Sequence, residues 1–265
     1  MNQTAPIFFT LCFYKHLREL KAITFKNLSQ LNKQELHAYR AAVQAAFPPI
    51  ILNTAININR WQKIEKYFPS LQQFGFDENQ KLIGFINTVT FNWNQEASLL
   101  PQDGWDWMVD QSIKDYEAKQ KTNSIGGLQI IVCKEFLGKG YSKILIQKAK
   151  ELKLENEFQN LFIPIRPTFK HHYAQMPMSE YLHFKKGEKL YDPWIRTHLK
   201  CGATVLNICE NSMNVKEPLA YWEKLTDQVI TSSGNILIDG ALYPVKIDLE
   251  NKMGEYREPN IWISY

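Results

Sequence analysis

The sequence has 265 residues, a net charge of +4, 45% hydrophobic residues and 22% charged residues. This is an ordinary globular balance, and the length suits one large domain or two small ones. A nucleic-acid-binding protein is not expected, because no block of lysine and arginine stands out. A membrane protein is not expected either, because no apolar run approaches the ~18 residues that cross a bilayer.

The cysteines indicate a reducing compartment. Cys12, Cys133, Cys201 and Cys209 lie in apolar settings without C-x-x-C pairing, which predicts free thiols. No metal-ligand spacing is present, so no metal is expected. Residues 1–14 lack a basic residue before their apolar run, which argues against a signal peptide. Together these features predict a cytoplasmic protein.

The first half of the chain alternates between strand and helix patterns. Ser29 or Asn32 can cap a helix that Pro48-Pro49 ends, and Pro69 ends a second helix. The predicted elements are a strand at 22–28, helices at 32–47 and 59–67, a hairpin formed by 72–76 and 81–93, and a helix at 105–119.

The most informative stretch is 128–153. Its apolar run, 128–133, predicts a strand buried on both faces, and from Tyr141 onward the apolar residues recur at helical spacing. The glycine-bearing turn 137–140 lies between them. Free N–H groups at a helix start, beside glycines that admit a ligand, favour a phosphate or pyrophosphate. The residues alone leave open a plain connection whose glycines serve only packing.

Two further patterns accompany this turn. The run Glu135-Phe-Leu-Gly138-Lys-Gly140 resembles the [Q/R]-x-x-G-x-[G/A] turn of the GCN5-related N-acetyltransferase (GNAT) superfamily, with glutamate at the first position. The predicted order β-α-α-β-β-(α)-β-α-β, which ends with strand 161–165, also resembles that superfamily. A helix then begins at Asp192-Pro193 and ends at Gly202. It is similar to the superfamily's Y-x-x-x-G-[F/Y] segment, with His198 in the place of the tyrosine.

The resemblance implies an α/β (α+β) fold with a mixed central sheet flanked by helices. Residues 1–213 would form an acyl-CoA-binding core that carries an insertion at 167–191. Residues 214–265 would form a β-rich extension packed on this core. The insertion either shapes the substrate side of the cleft or is a plain surface excursion.

The resemblance also implies a function: transfer of an acyl group from acetyl-CoA or another acyl-CoA to the amine of a small molecule. Backbone amides near Val132 and Cys133 would bind the thioester carbonyl and the pantetheine. The residues implied for the pyrophosphate are Leu137, Gly138, Lys139, Gly140, Tyr141 and Ser142. Two alternatives remain: a non-catalytic acyl-CoA-binding module, and an acyltransferase that uses a carrier-protein thioester. The oligomeric state is not predicted.

The resemblance and chain position supply the remaining candidates. His198 would protonate the departing thiolate, because a histidine titrates near neutral pH, or it is a plain helix residue. Asp192, His172 and Glu135 are candidates for the general base by position, and Glu135 is the weakest because its charge repels a pyrophosphate. Arg166 either binds the acceptor, with His172 and Tyr173 as further candidates, or forms a structural bridge.

Overall fold

The structure is a computed structural model that describes residues 23–52 and 54–265. The expectations about residues 1–14 and Cys12 concern a segment outside this range. The strands are β1 (Thr24–Asn27), β2 (Gln72–Phe76), β3 (Leu82–Phe91), β4 (Ser124–Val132), β5 (Asn160–Ile165), β6 (Lys185–Lys186), β7 (Lys189–Leu190), β8 (Thr204–Pro218), β9 (Gly234–Ile236), β10 (Val245–Asp248) and β11 (Met253–Ser264). The helices are α1 (Lys33–Ala46), α2 (Pro49–Leu52), α3 (Ala55–Tyr67), α4 (Gly104–Glu117), α5 (Tyr141–Glu155), α6 (Met178–His183), α7 (Pro193–Lys200) and α8 (Leu219–Thr226).

Local sequence explains where two of the helices begin. The Asn32 side chain accepts the backbone N–H of Glu35 at 2.9 Å, and the Glu35 side chain accepts the N–H of Asn32 at 2.9 Å. This reciprocal capping box satisfies two donors that the first turn of α1 would otherwise leave unpaired. Helix α7 begins with Asp192 as its cap and Pro193 at its first position, which is the favoured arrangement for a helix start.

One mixed sheet forms the centre of the molecule. Its strand order is β1-β2-β3-β4-β5-β11-β10-β9, and β8 pairs with the other edge of β11. The pairing of β4 with β5 is parallel, whereas the other neighbouring strands described for this sheet pair antiparallel. The predicted mixed sheet flanked by helices, with additional C-terminal strands, is confirmed.

Helices cover both faces of this sheet. On one face, Ile125 of β4 and Ile163 of β5 pack with Ala149 of α5 in a buried cluster that also includes residues of α6 and α7. On the other face, α1 covers Ile131 of β4, and α4 packs over Leu128 of the same strand. The side chains of β4 therefore contribute to buried clusters on both faces of the sheet.

The C-terminal segment lies inside the sheet. Strand β11 pairs with β8 along its whole length, and its residues 261–264 pair with residues 162–165 of β5. Its Tyr256, Ile261 and Trp262 are fully buried. The division of the chain into a core and an extension at residue 213 stays a prediction. Strands β5 and β8, which lie in the predicted core or begin there, both form hydrogen bonds with β11 of the extension.

The insertion 167–191 is a packed part of the fold. It contains α6, the β6–β7 hairpin and a ring cluster that includes Tyr173, Tyr181, Phe184 and Tyr191. Lys170 is fully buried, and its Nζ donates to a carbonyl within the insertion at 2.8 Å and to the Leu242 carbonyl at 3.0 Å. Burial lowers the pKa of this lysine to about 8. The insertion is thus tied to the segment before β10.

A separate result concerns membranes. Within residues 23–52 and 54–265, no helix has both the length and the apolar character that a transmembrane span needs.

The position of β11 leads to a prediction. A chain shortened to residues 1–252 would leave the facing edges of β5 and β8 unpaired and would expose their apolar side chains, so we expect it not to fold. Circular dichroism and thermal melting would show the loss of a cooperative transition. Removal of Tyr265 alone is the control, because it keeps the paired residues 253–264 of β11 and removes only the terminal contacts, including the one with His198. A truncated protein with a sharp native-like melt would instead show that residues 214–265 are an addition to a complete core.

Candidate functional site

The parallel strands β4 and β5 separate soon after they begin. They pair only where residues 124–126 lie opposite residues 160–162. Residues 127–132 of β4 and 163–165 of β5 continue without pairing to each other. The gap between them leaves backbone N–H and C=O groups available to an extended ligand.

The hydrogen bonds of β4 identify the amides that face this gap. The N–H of Cys133 donates to the carbonyl of Ile83 at 2.8 Å, so Cys133 faces β3. Backbone groups of an antiparallel strand alternate between facing the partner and facing away. Ile130 and Val132 therefore direct their backbone groups into the gap. The expectation for Val132 fits this geometry, whereas the Cys133 amide is already occupied.

The Cys133 side chain is also unsuited to act as a nucleophile. Burial, with a smaller contribution from Glu135, raises the pKa of this thiol to about 11. The thiol is therefore protonated at neutral pH.

A β-bulge lies where β4 leaves β5. Asn87 of β3 pairs with Gln129, but the next residue, Thr88, pairs with Gly127, so Leu128 is the extra residue. The indole Nε1 of Trp105 donates to the Leu128 carbonyl at 3.1 Å. Bulges bend a strand and increase its local twist, and this one accompanies the separation of the two strands.

The glycine turn lies at the end of β4, as predicted. Gly138 and Gly140 have φ values of +75° and +84°, and a Cβ built on either would meet no atom within 4 Å. Gly140 is the N-cap of α5 and offers no side chain, so the first amides of the helix, at Tyr141 and Ser142, have no intrahelical acceptor. The turn is open, left-handed and electropositive, as an anion site requires.

Glu135, which departs from the superfamily pattern, is paired. Lys81, in the turn between β2 and β3, approaches a Glu135 carboxylate oxygen at 2.6 Å. The hydrogen bond from Lys81 holds the pKa of this carboxyl below its usual range. Lys139 also lowers this pKa through its charge. The negative charge that would repel a phosphate is therefore balanced locally, although both partners are exposed and the pair is weak.

His198 is buried, with 1% of its surface exposed. Its Nδ1 lies 2.7 Å from the Tyr265 hydroxyl oxygen, and its Nε2 is buried without a hydrogen-bond partner. Burial lowers the pKa of His198 to about 3, so the ring is neutral near pH 7. The expected imidazolium acid does not fit this environment. When the Tyr265 hydroxyl donates to Nδ1, the single ring proton sits on the unpartnered Nε2.

Asp192 is occupied by structural contacts. One carboxylate oxygen accepts the N–H groups of Trp194 and Ile195 at 2.9 and 3.1 Å. The other oxygen accepts the Phe169 N–H at 2.8 Å and the Tyr181 hydroxyl at 3.0 Å. Asp192 therefore joins the start of α7 to the insertion, and these contacts favour a capping role over that of a general base.

Arg166 forms a bridge at the end of β5. Its Nε lies 3.0 Å from each carboxylate oxygen of Glu258, and its Nη2 donates to the Gly240 carbonyl at 2.6 Å. Glu258 is fully buried and also accepts the Tyr256 hydroxyl at 2.7 Å. Because an unpaired buried carboxylate is strongly destabilising, the geometry favours the structural alternative for Arg166.

The other two acceptor candidates lie in the insertion. His172 is exposed, and its ring contacts those of His171 and Phe169 at centroid distances of 4.0 and 5.8 Å. Tyr173 belongs to the ring cluster of the insertion. Arg166 directly follows β5, so the structure groups it with the gap and groups His172 and Tyr173 with the insertion.

Sequence reasoning missed a row of buried amides on the sheet face that α1 and α4 cover. Gln72, Asn87 and Gln129 lie side by side on β2, β3 and β4. Their side chains are hydrogen-bonded to one another at 2.8 and 2.7 Å. The available signal was the presence of amide side chains in three mostly apolar strands, Gln72 and Gln73 in β2, Asn87 in β3 and Gln129 in β4.

In the described part of the chain, no group of three or more histidine, cysteine, aspartate or glutamate side chains is arranged to hold a metal ion.

Comparison with known proteins supports the same fold. No protein-family model matches the chain. The arginine N-acetyltransferase avaD of Aspergillus versicolor is 31% identical over 185 residues, which cover 62% of this chain and 64% of that enzyme. The alignment thus spans less than two thirds of its relative.

Two solved structures share the fold. The loading GNATL domain of CurA from Lyngbya majuscula has a TM-score of 0.56 at 14% identity, covering 92% of this chain and 98% of that domain. The GphF GNAT-like decarboxylase, solved with isobutyryl-CoA, has a TM-score of 0.56 at 11% identity with the same coverage.

The environment of His198 predicts how stability depends on pH. The folded state holds this ring neutral down to about pH 3, whereas the unfolded chain protonates it below about 6.5. The neutral ring therefore contributes to the free energy of unfolding above pH 6.5. This contribution is lost as the pH falls toward 3, and the loss is about 2 kcal/mol at pH 5. His198→Phe should therefore flatten the dependence of the unfolding free energy on pH between 6.5 and 4.5, measured by urea denaturation. The exposed His183, changed to Gln, is the control; equal slopes for parent and His198→Phe would contradict the prediction.

Proposed function

We propose that the chain is an acyl-CoA-dependent N-acyltransferase of the GNAT superfamily. It transfers an acyl group from acetyl-CoA or another acyl-CoA to the amine of a small molecule. The observation that carries the proposal is the separation of β4 from β5 beside an open glycine turn. The gap offers an extended groove, and the turn offers an anion site at one end of it, which are the two features that a phosphorylated pantetheine needs.

The roles proposed for the chain's own residues follow from this arrangement. The turn 137–142 would hold the pyrophosphate through its backbone amides and the hydroxyl of Ser142. The amides of Ile130 and Val132 would hydrogen-bond the pantetheine and the thioester carbonyl. Such donors stabilise the charge that develops on the carbonyl oxygen during acyl transfer. His198, neutral and partnered by Tyr265, stays a candidate at the leaving group, where Nε2 would donate a hydrogen bond to the departing sulfur while the thiolate takes up its proton from water.

The acceptor is proposed to be a small primary amine. The similar Aspergillus versicolor enzyme is named for arginine, so L-arginine is the first acceptor to test. The insertion 167–191, with its exposed His172, is proposed to contribute to the acceptor side. The free thiols of Cys133, Cys201 and Cys209 support a reducing compartment such as the cytoplasm.

A direct assay tests the activity. Purified protein is incubated with acetyl-CoA and a panel of amines that includes L-arginine, and the release of free thiol is followed together with the acylated product by mass spectrometry. Amine-dependent thiol release is the expected result. Binding of acyl-CoA without turnover would indicate the non-catalytic alternative. Turnover that requires an acyl carrier protein would indicate the carrier-protein alternative, which a loading domain of similar fold makes worth including.

The glycine turn provides a prediction about affinity. Gly138→Asp or Gly140→Asp adds a negative charge where the phosphates should lie, so the Kd for coenzyme A should rise at least tenfold, roughly 1.4 kcal/mol. Isothermal titration calorimetry measures it. Gly187→Asp is a matched control, because Gly187 also has a positive φ, +64°, and open space at its Cβ position, but it lies in the β6–β7 hairpin. Equal affinities for all three folded variants and the parent would mean that the phosphates bind elsewhere.

A further inference from the structure

The buried amide row has a fixed direction. Its first member, Gln72 on β2, donates its side-chain N–H groups to the backbone carbonyls of Phe68 and Thr88, each at 2.8 Å. Carbonyls can only accept hydrogen bonds, so Nε2 of Gln72 must face them. Its Oε1 therefore faces Asn87 on β3.

The direction continues from strand to strand. Asn87 Nδ2 donates to Gln72 Oε1 at 2.8 Å, and Gln129 Nε2 donates to Asn87 Oδ1 at 2.7 Å. Reversal of either following amide would set two acceptors or two donors against each other and leave buried groups unpaired. Such a loss is destabilising, because a buried group without a partner keeps its full desolvation penalty. Gln72 thus determines the orientation of Gln129, two strands away.

The open end of the row lies at the gap. Gln129 follows the bulge residue Leu128, in the part of β4 that has no pairing with β5. Gln72 and Asn87 have no exposed surface, whereas Gln129 is 8% exposed. Because Nε2 of Gln129 points to β3 and the amide is planar, its Oε1 lies on the side away from β3. The row ends there in a hydrogen-bond acceptor.

We propose that Oε1 of Gln129 accepts an N–H of the acceptor amine and holds its nitrogen beside the thioester, with Gln72 and Asn87 as positioning residues. The inference rests on the proposed acyl transfer. In that step the amine nitrogen forms a bond to the acyl carbon and the C–S bond breaks. Coenzyme A leaves as a thiolate that takes up a proton, and the nitrogen loses one proton to water. The carboxamide of Gln129 stays neutral throughout.

The polarity of the amide matters for reactivity. An amine attacks through its lone pair, and a side-chain donor at this place would bind that lone pair and make the nitrogen less nucleophilic. An acceptor binds an N–H and leaves the lone pair free. The hydrogen bond also strengthens as positive charge develops on the nitrogen, so it favours the transition state over the bound substrate.

Substitutions at the two ends of the row test the inference. Gln129→Met removes the acceptor, and Gln72→Met removes the groups that orient it, each with little change in volume. We expect either variant to lower kcat/KM for the amine about tenfold, the value of one such hydrogen bond. The Kd for acetyl-CoA should be unchanged. Gln73→Met is the control, because Gln73 neighbours Gln72 on β2 but points to the opposite face.

The double variant separates positioning from packing. If Gln72 acts only through Gln129, then adding Gln72→Met to Gln129→Met should lower kcat/KM little further. The inference would be overturned if the losses of kcat/KM were additive, paralleled the losses in melting temperature and came with weaker acetyl-CoA binding. The row would then be a structural element only. Unchanged kcat/KM in both single variants would overturn it as well.

A binding measurement distinguishes this inference from the proposed function. L-Arginine or n-butylamine is titrated into the parent, and the side-chain NH₂ signal of Gln129 is followed by NMR. A shift that Gln72→Met abolishes supports the inference. If the parent acylates no amine, the proposed function is wrong. If, in addition, the NH₂ signal of Gln129 does not shift when the amine is added, the inference is wrong as well. If the parent acylates amines and the signal does not move, the inference alone is wrong.

Discussion

The bulge at Leu128 is the feature on which the candidate site depends. Without the extra residue, β4 would continue in register with β3 and would have no local cause to turn away from β5. The Trp105 indole fixes the bulge by donating to the Leu128 carbonyl. Trp105 is itself held in place, because its backbone N–H donates to the buried Ser212 hydroxyl at 2.9 Å and that hydroxyl donates to Oδ1 of Asn260 at 2.6 Å. The shape of the gap is therefore connected to β8 and β11, which lie beyond β5 on the other side of the gap.

The same bulge allows one strand to serve two faces. The side chains of Leu128 and Gln129 both lie on the face covered by α1 and α4, although neighbouring strand residues ordinarily alternate. Beyond the bulge, Ile130 packs on the opposite face with the cluster that includes α5 and α7. A ligand in the gap could then meet backbone groups of β4 and the amide of Gln129 together. An enzyme that brings two substrates to one bond needs access of this kind.

The sequence predicted the local features well. Alternation and helical spacing located the strands and helices of the core, and capping residues such as Asn32 and Asp192 marked helix starts. The glycine turn was evident because its cause is local: two glycines adopt left-handed φ values beside a helix start. The features that were missed depend on residues far apart in the chain. Arg166 and Glu258 are separated by 92 positions, and His198 and Tyr265 by 67. Periodicity carries no information about such pairs, and strand register, which creates the bulge and the amide row, is also determined by tertiary pairing.

Two of the expected roles, those of His198 and Asp192, meet the same physical constraint. His198 was expected to titrate near neutral pH and Asp192 to be free to act as a base, because each has a suitable residue type at a suitable place. Both are enclosed, at 1% exposure, and burial penalises a charge unless hydrogen bonds compensate. Asp192 has four such bonds and serves as a cap. His198 has one ring bond and stays neutral, which leaves Nε2 unsatisfied at a cost in stability. A buried polar atom without a partner is uncommon in a stable fold, and a hydrogen-bond acceptor supplied by a bound ligand would satisfy Nε2 of His198.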